Sequence, residues 1–436
     1  MSPWRVSRKK RREGKRIGTR NCFTDRFIPR EGLTKIVTTP YSGDREIIMN
    51  NCLIRNARIY NTTTRDFYDG AILILKGRIA ILSRGDILNP PEGGMVYDAG
   101  GRMVVPGLVD VHTHGRAGGD FNTADTETMI RMAESYLDSG VTTVMPTLAS
   151  APTEALELAI DRINELMRAS DDAQGKLTRV AGTHLEGRYL NVKRRGAHAA
   201  DLLVAPDPDE LEALLNRMNG ARHITAAWEL APDGEALSRA LSLGATLSMG
   251  HTDADYNTAT ELIAKGVTAL THTFNAMPPL HHRDGGAVAA GLLSETALCE
   301  MICDGFHIAP HMVDLAYRLA GDRLVLITDS MEATGCADGE YSIAGNPVTV
   351  KDGKARTHDG AIAGSTLSMW EAVQNLCAFT GTSFANAIYA ATMAPAREIG
   401  LEKEIGSIEV GKRADLLVLD DQATIARVMR DGYWHR

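Results

Sequence analysis

Apolar and polar positions follow two textures along the chain. Residues 52–60, 70–75 and 78–82 are short apolar-rich runs punctuated by Gly77-Arg78 and Asn89-Pro90-Pro91, a pattern that predicts strands joined by turns. Runs rich in Val, Ile, Leu and Thr then recur at 103–110, 141–146, 179–183, 224–228, 246–249, 267–270, 297–302 and 324–327. These runs are continuous rather than alternating, as expected of parallel strands buried on both faces. Amphipathic stretches between them, such as 126–137, 154–167 and 210–218, predict helices, the first capped by Asn122 or Thr123. Eight strand–helix units in series predict a closed (β/α)8 TIM-type barrel rather than an open sheet.

The first texture returns at the far end. Residues 405–410 and 414–419 read as short strands around Gly411-Lys412, with another at 426–430. Two β segments flanking a barrel predict a small β-sandwich domain built from both termini, with 49–102 and 401–436 as its parts and 103–400 as the barrel. Residues 341–357, with turns at Asn346-Pro347 and Asp352-Gly353, predict a hairpin excursion.

Composition narrows the class. With 44% hydrophobic and 23% charged residues, the 436-residue chain has a globular balance, which excludes disorder, collagen and coiled coil as readings of the whole. No apolar run reaches about 18 residues and no signal peptide opens the sequence, so a cytoplasmic protein without a membrane partner is expected. Six cysteines with no CxxC pair fit reduced thiols.

The net charge of −8 is unevenly spread. Residues 1–48 hold 13 Lys or Arg against 5 Asp or Glu, a net of +8, which leaves −16 for the remainder. The run Arg8-Lys9-Lys10-Arg11-Arg12, with Lys15 and Arg16, has the composition of a nucleic-acid patch or a targeting arm. The acidic remainder offers no continuation of a basic surface. The extension therefore reads as a solvated, disordered tail or an upstream stretch, and no nucleic-acid partner is expected.

The polar residues that follow the apolar runs carry the chemistry. In a barrel the C-terminal strand ends converge on one mouth, where catalytic side chains sit. Here those ends carry His112 and His114, His184 and Glu186, His251, His272, Asp304 and His307, and Asp329. His and carboxylate donors without a thiolate suit a divalent metal, Zn²⁺ above all, with Fe²⁺, Co²⁺ or Mn²⁺ as alternatives. His184 is open to a supporting role. His223, His311, His358 and His435 follow no such pattern and read as structural, as do His281 and His282 in a loop and Cys303 in a strand.

PGLVDVHTHG (106–115), HLEG (184–187), GHT (250–252), THTFNAM (271–277), DGFH (304–307), TDS (328–330) and GSIEVGKRADLLVLD (406–420) resemble the amidohydrolase superfamily. Within it they resemble the N-acetylglucosamine-6-phosphate deacetylases. The resemblance runs from about residue 50 to 420, and HLEG together with HTFNAM is its specific part.

It implies a metal held by Glu186, His251 and His272, with His112 and His114 able to complete a second site, so one or two ions per chain. It implies Asp329 as the general base that later returns its proton to the amine, and His198 as a donor to the acetyl oxyanion. Ala197, Asn275, Ala276, Arg283, His307, Ile362, Ala363 and Gly364 are implied around the phosphosugar, with Arg283 reaching across a homodimer interface. The chain departs from the family at Arg188, where a proline is usual, and at Gly285, in a more flexible loop.

The activity implied is hydrolysis of N-acetyl-D-glucosamine 6-phosphate to D-glucosamine 6-phosphate and acetate, in amino-sugar catabolism or cell-wall recycling. Deacetylation of N-acetylgalactosamine 6-phosphate, deamination of a heterocycle and a non-enzymatic scaffold are the alternatives. Intact Glu186, His251, His272 and Asp329 argue against the last, because such groups are costly to keep buried without use.

Overall fold

In the computed structural model, which describes residues 50–435, eight parallel strands follow one another in chain order around a barrel. They are β1 (Leu108–Thr113), β2 (Val141–Ala149), β3 (Gly182–Glu186), β4 (Ala221–Ala226), β5 (Thr246–Met249), β6 (Ala269–Leu270), β7 (Leu298–Ile302) and β8 (Leu324–Ile327). All nine residues of β2 and all five of β7 are buried, the signature of strands covered on both faces. Between β8 and β1 the ladder shrinks to a bridge from Thr113 to Ser330. The Asp329 N–H donates to the His112 carbonyl at 2.9 Å, and Thr328 Oγ1 to Asp110 Oδ2 at 2.6 Å, so the seam is drawn shut just below the mouth.

The apolar run at 103–110 proves to be two strands. Met103–Pro106 belongs to the small sheet, and β1 starts at Leu108. Gly107 stands at the break because a Cβ there would lie 2.1 Å from Thr142 Oγ1. The run at 224–228 also shifts: β4 ends at Ala226, and Trp228 opens a short 3-10 turn.

The small sheet has eight strands from both termini, with Leu416–Leu419 antiparallel to Met103–Pro106, which in turn pairs with Cys52–Asn61. Residues 405–410 form turns rather than the expected strand. Arg179, just before β3, makes ion pairs with Asp415 and Asp431 and so ties barrel to sheet. The excursion is a three-stranded meander, Gly339–Ile343, Asn346–Lys351 and Lys354–Thr357. Its first turn falls at Ala344-Gly345, where both residues have positive φ, and Asn346-Pro347 begins the next strand instead of turning.

Helix Thr126–Asp138 is capped by Asp125, whose side chain accepts from the Thr128 N–H at 2.8 Å, not by Asn122 or Thr123. Asn122 instead brackets the end of β2 through the Ala149 N–H and carbonyl. Among the described residues no helix is long and apolar enough to cross a membrane, and the five described cysteines are free, Cys303 being buried.

Candidate metal centre and substrate cleft

The mouth gathers two groups of donors around one carboxylate. Glu186 is the last residue of β3 and, two positions beyond His184, shares its inward face. Its Oε1 lies 3.0 Å from His272 Nε2 and 3.3 Å from His251 Nε2, and those two nitrogens are 3.0 Å apart. Its Oε2 lies 3.0 Å from His114 Nε2. His112, His114 and Asp329 form the second group, with Asp329 Oδ1 3.3 Å from His114 Nε2 and 3.7 Å from His112 Nε2.

His251, His272 and Asp329 each stand two residues beyond a strand end and hold φ of +46°, +31° and +48°. Non-glycine residues rarely adopt that conformation, and such strain concentrates at functional sites. Gly250 makes room for the turn at His251, since a Cβ there would lie 2.6 Å from both Thr225 Cγ2 and Thr271 Cβ.

The donors fit a divalent cation. His251 Nδ1 contacts the Arg194 carbonyl at 2.8 Å and must donate to it, which leaves Nε2 as a lone pair aimed at Glu186 and His272. His112 Nε2 is buried without a hydrogen-bond partner. Burial pushes the His251 ring down to about 4, which keeps it in the neutral, ligating form. Burial also depresses His114, but Asp329 and Glu186 outweigh it and carry that ring up to about 9. Glu186 is held well below the usual carboxylate range, burial being overcome by His112 and the other imidazoles.

A cleft of about 260 Å³ opens over these groups, lined by His114, Glu186, His198, His251, His272 and Asp329 on its floor. Ala197, Asn275, Ala276, His307, Ile362 and Gly364 line it too, together with Gly196, Ile343 and Ala361, which the sequence did not single out. The Ser150 backbone N–H donates to His198 Nδ1 at 3.3 Å, which leaves the ring proton on Nε2. His307 Nδ1 is held by Asp304 Oδ2 at 2.6 Å, which leaves its Nε2 for a ligand.

Three expected residues stay outside this lining, one of them the fully buried His112. Ala363 is buried behind it. Arg283 is exposed in its loop, its Nη1 2.9 Å from His282 Nε2. His184 has both ring nitrogens occupied, by the Val111 carbonyl and Thr225 Oγ1, and is a barrel-interior residue. His223, expected to be structural, is buried with Glu300 and Glu398 in a third group of possible ligands. Glu300 and Glu398 were not singled out by the sequence pattern, although a carboxylate inside the apolar run LCEMI of β7 was a signal.

The chain belongs to the amidohydrolase family, whose model matches residues 103–434. Among its relatives is the N-acetylglucosamine-6-phosphate deacetylase of Vibrio furnissii, 32% identical over 76% of this chain and 82% of that one. The N-acetylgalactosamine-6-phosphate deacetylase of Escherichia coli O157:H7 is 33% identical over 77% of this chain and 89% of its own. A variant of the Mycobacterium smegmatis N-acetyl-D-glucosamine-6-phosphate deacetylase, solved in complex with N-acetyl-D-glucosamine-6-phosphate, superposes with a TM-score of 0.80 at 31% identity, covering 88% of this chain and 99% of that one.

Proposed function

We propose that this chain hydrolyses the acetamide of N-acetyl-D-glucosamine 6-phosphate, releasing acetate and D-glucosamine 6-phosphate. The observation that carries this reading is the convergence of Glu186, His251, His272 and Asp329 on one cleft whose wall includes Asn275, Ala276 and His307. A divalent ion at Glu186, His251 and His272, which we take to be Zn²⁺, would polarise the acetyl carbonyl and lower the pKa of its water to about 7. His112 and His114 provide for a second ion.

The chain's own residues do the rest. Asp329 accepts the proton of the attacking water and returns it to the amine nitrogen as the C–N bond breaks. His198 offers its Nε2–H to the developing oxyanion. Asn275, the backbone at Ala276 and His307 take the phosphate end, while Ile362 and Gly364 face the sugar as a wall, with the buried Ala363 joining them in the chain. Arg283, absent from this cleft's own lining, is assigned to the phosphate bound by a second copy in a homodimer, where a guanidinium gives bidentate recognition. The expected setting is amino-sugar breakdown in the cytoplasm.

The galactosamine epimer is the second reading, favoured by a relative of that activity at equal similarity. Acetate release, measured on both N-acetylhexosamine 6-phosphates in parallel, tests the assignment. Faster turnover of the galactosamine compound would move the substrate to the epimer, and ammonia release in place of acetate would end the deacetylase reading.

A further inference from the structure

One buried carboxylate takes no part in the proposed reaction yet touches both groups of donors. Glu300, in the middle of β7, is fully buried. Its Oε2 lies 3.0 Å from His112 Nδ1 and 3.0 Å from the backbone nitrogen of His272. A carboxylate oxygen accepts, so both groups donate to that one atom. With Nδ1 committed, His112 keeps its lone pair at Nε2, 3.5 Å from Glu186 Oε1 and 3.7 Å from Asp329 Oδ1. His272 is the ligand with φ of +31°, and Glu300 restrains its backbone from the neighbouring strand.

Resting on the metal-dependent reading above, we propose that Glu300 is a positioning residue that couples the two donor groups, aiming His112 Nε2 into one and fixing His272 in the other. Imidazole ligands whose second nitrogen is held by a carboxylate keep their tautomer and orientation, and loss of that partner costs about 10–100-fold in metal affinity. Glu300 would serve two ligands in two ways, one through a ring and one through a main-chain amide. Its remaining oxygen faces His223 Nε2 at 3.8 Å, and Glu398 Oε1 lies 3.6 Å from that same nitrogen. His223 stands between the two carboxylates, and Glu398 belongs with Glu300 to the third group and not to the two donor groups, which makes it a control within the same buried cluster. Burial and the Glu300 charge push the Glu398 carboxyl well above its usual range, so glutamine is close to an isostere of its neutral form.

The test compares Glu300→Gln with Glu398→Gln in the full-length protein. Glu300→Gln keeps the volume and one acceptor but loses the charge. At an unchanged circular dichroism spectrum, its zinc affinity in a chelator competition should fall by about 10–100-fold. Its kcat for N-acetylglucosamine 6-phosphate should fall while KM holds. Glu398→Gln should match wild type in both. Wild-type zinc affinity in Glu300→Gln overturns the proposal, and so does an equal loss in Glu398→Gln, which would mark a cluster important only for packing.

If Glu300→Gln does not fold, the zinc-loaded wild type decides through its ¹⁵N-histidine NMR spectrum. A proton on Nδ1 of His112 and none on Nε2 supports the assignment; an unprotonated Nδ1 overturns it. A wild type that binds no zinc overturns the functional reading together with this one. A zinc-binding wild type with an unaffected Glu300 variant overturns this one alone.

Discussion

Replacing Asp329 by Asn separates proton transfer from everything else the residue does. The side chain is 12% exposed, so an isosteric amide neither opens a cavity nor forces a rotamer change. Its amide oxygen can stand where Oδ1 now faces His114 Nε2 at 3.3 Å. What is lost is a base able to take a proton from water, and general base catalysis is worth about 10²–10⁴ in rate. At about 1.36 kcal/mol per tenfold, that is about 2.7–5.4 kcal/mol of transition-state stabilisation. The Glu186, His251 and His272 group is untouched by the change, so at least one ion per chain should remain. The assay is acetate release with elemental analysis of the same preparation. A kcat within threefold of wild type would refute Asp329 as the base. A kcat loss that tracks complete loss of metal would make it a ligand instead.

Three further outcomes are expected. Glu186→Ala should release metal on dialysis and abolish turnover, as seen by elemental analysis, because both its oxygens face imidazoles of the two groups. Arg283→Ala should raise KM for the phosphorylated sugar far more than it lowers kcat, and should leave hydrolysis of the unphosphorylated sugar unchanged in steady-state kinetics. Arg179→Ala should destabilise the fold by about 3–5 kcal/mol in denaturant titration, because it strands the buried Asp415 at the junction of barrel and sheet and leaves Asp431 with Arg413 and Arg430 alone. Its pH dependence has a definite sign. Burial raises the Asp431 carboxyl, but Arg179, Arg430 and Arg413 more than offset it and hold it below the ordinary value. That contribution is complete above the ordinary Asp pKa and fades as pH falls towards the native one, so Arg179→Ala should flatten the acid limb of the stability profile.

The mouth was legible in the sequence because parallel strands read as apolar runs and a barrel turns every strand end towards one point. Once 246–249 was read as a strand, His251 had to lie at the mouth, and the same logic placed Glu186, His272 and Asp329. Contacts that depend on register across the sheet were not legible. His184 pairs with His223, and Glu300 with Val325. Nothing in the linear pattern says that Glu300 then meets an imidazole from β1 and an amide beyond β6. The run at 103–110 hid a change of sheet because residues buried in either layer look alike, and only Gly107 marked the passage. At 405–410 three apolar residues out of six suggest a strand, yet Ile405 and Ile408 are buried in a segment of bends and turns that joins no strand ladder. Arg283 lies exposed in its loop beside His282, outside the cleft, and the role proposed for it rests on a second copy of the chain.

On the function proposed above, this cleft removes acetyl groups from a phosphorylated amino sugar. The most direct test is kcat/KM for acetate release by the zinc-loaded wild type, on N-acetylglucosamine with and without its 6-phosphate. Metal-dependent release, abolished by a chelator and strongly favouring the phosphorylated sugar, is the expected result. Equal rates on the two sugars, or no acetate from either, would contradict it.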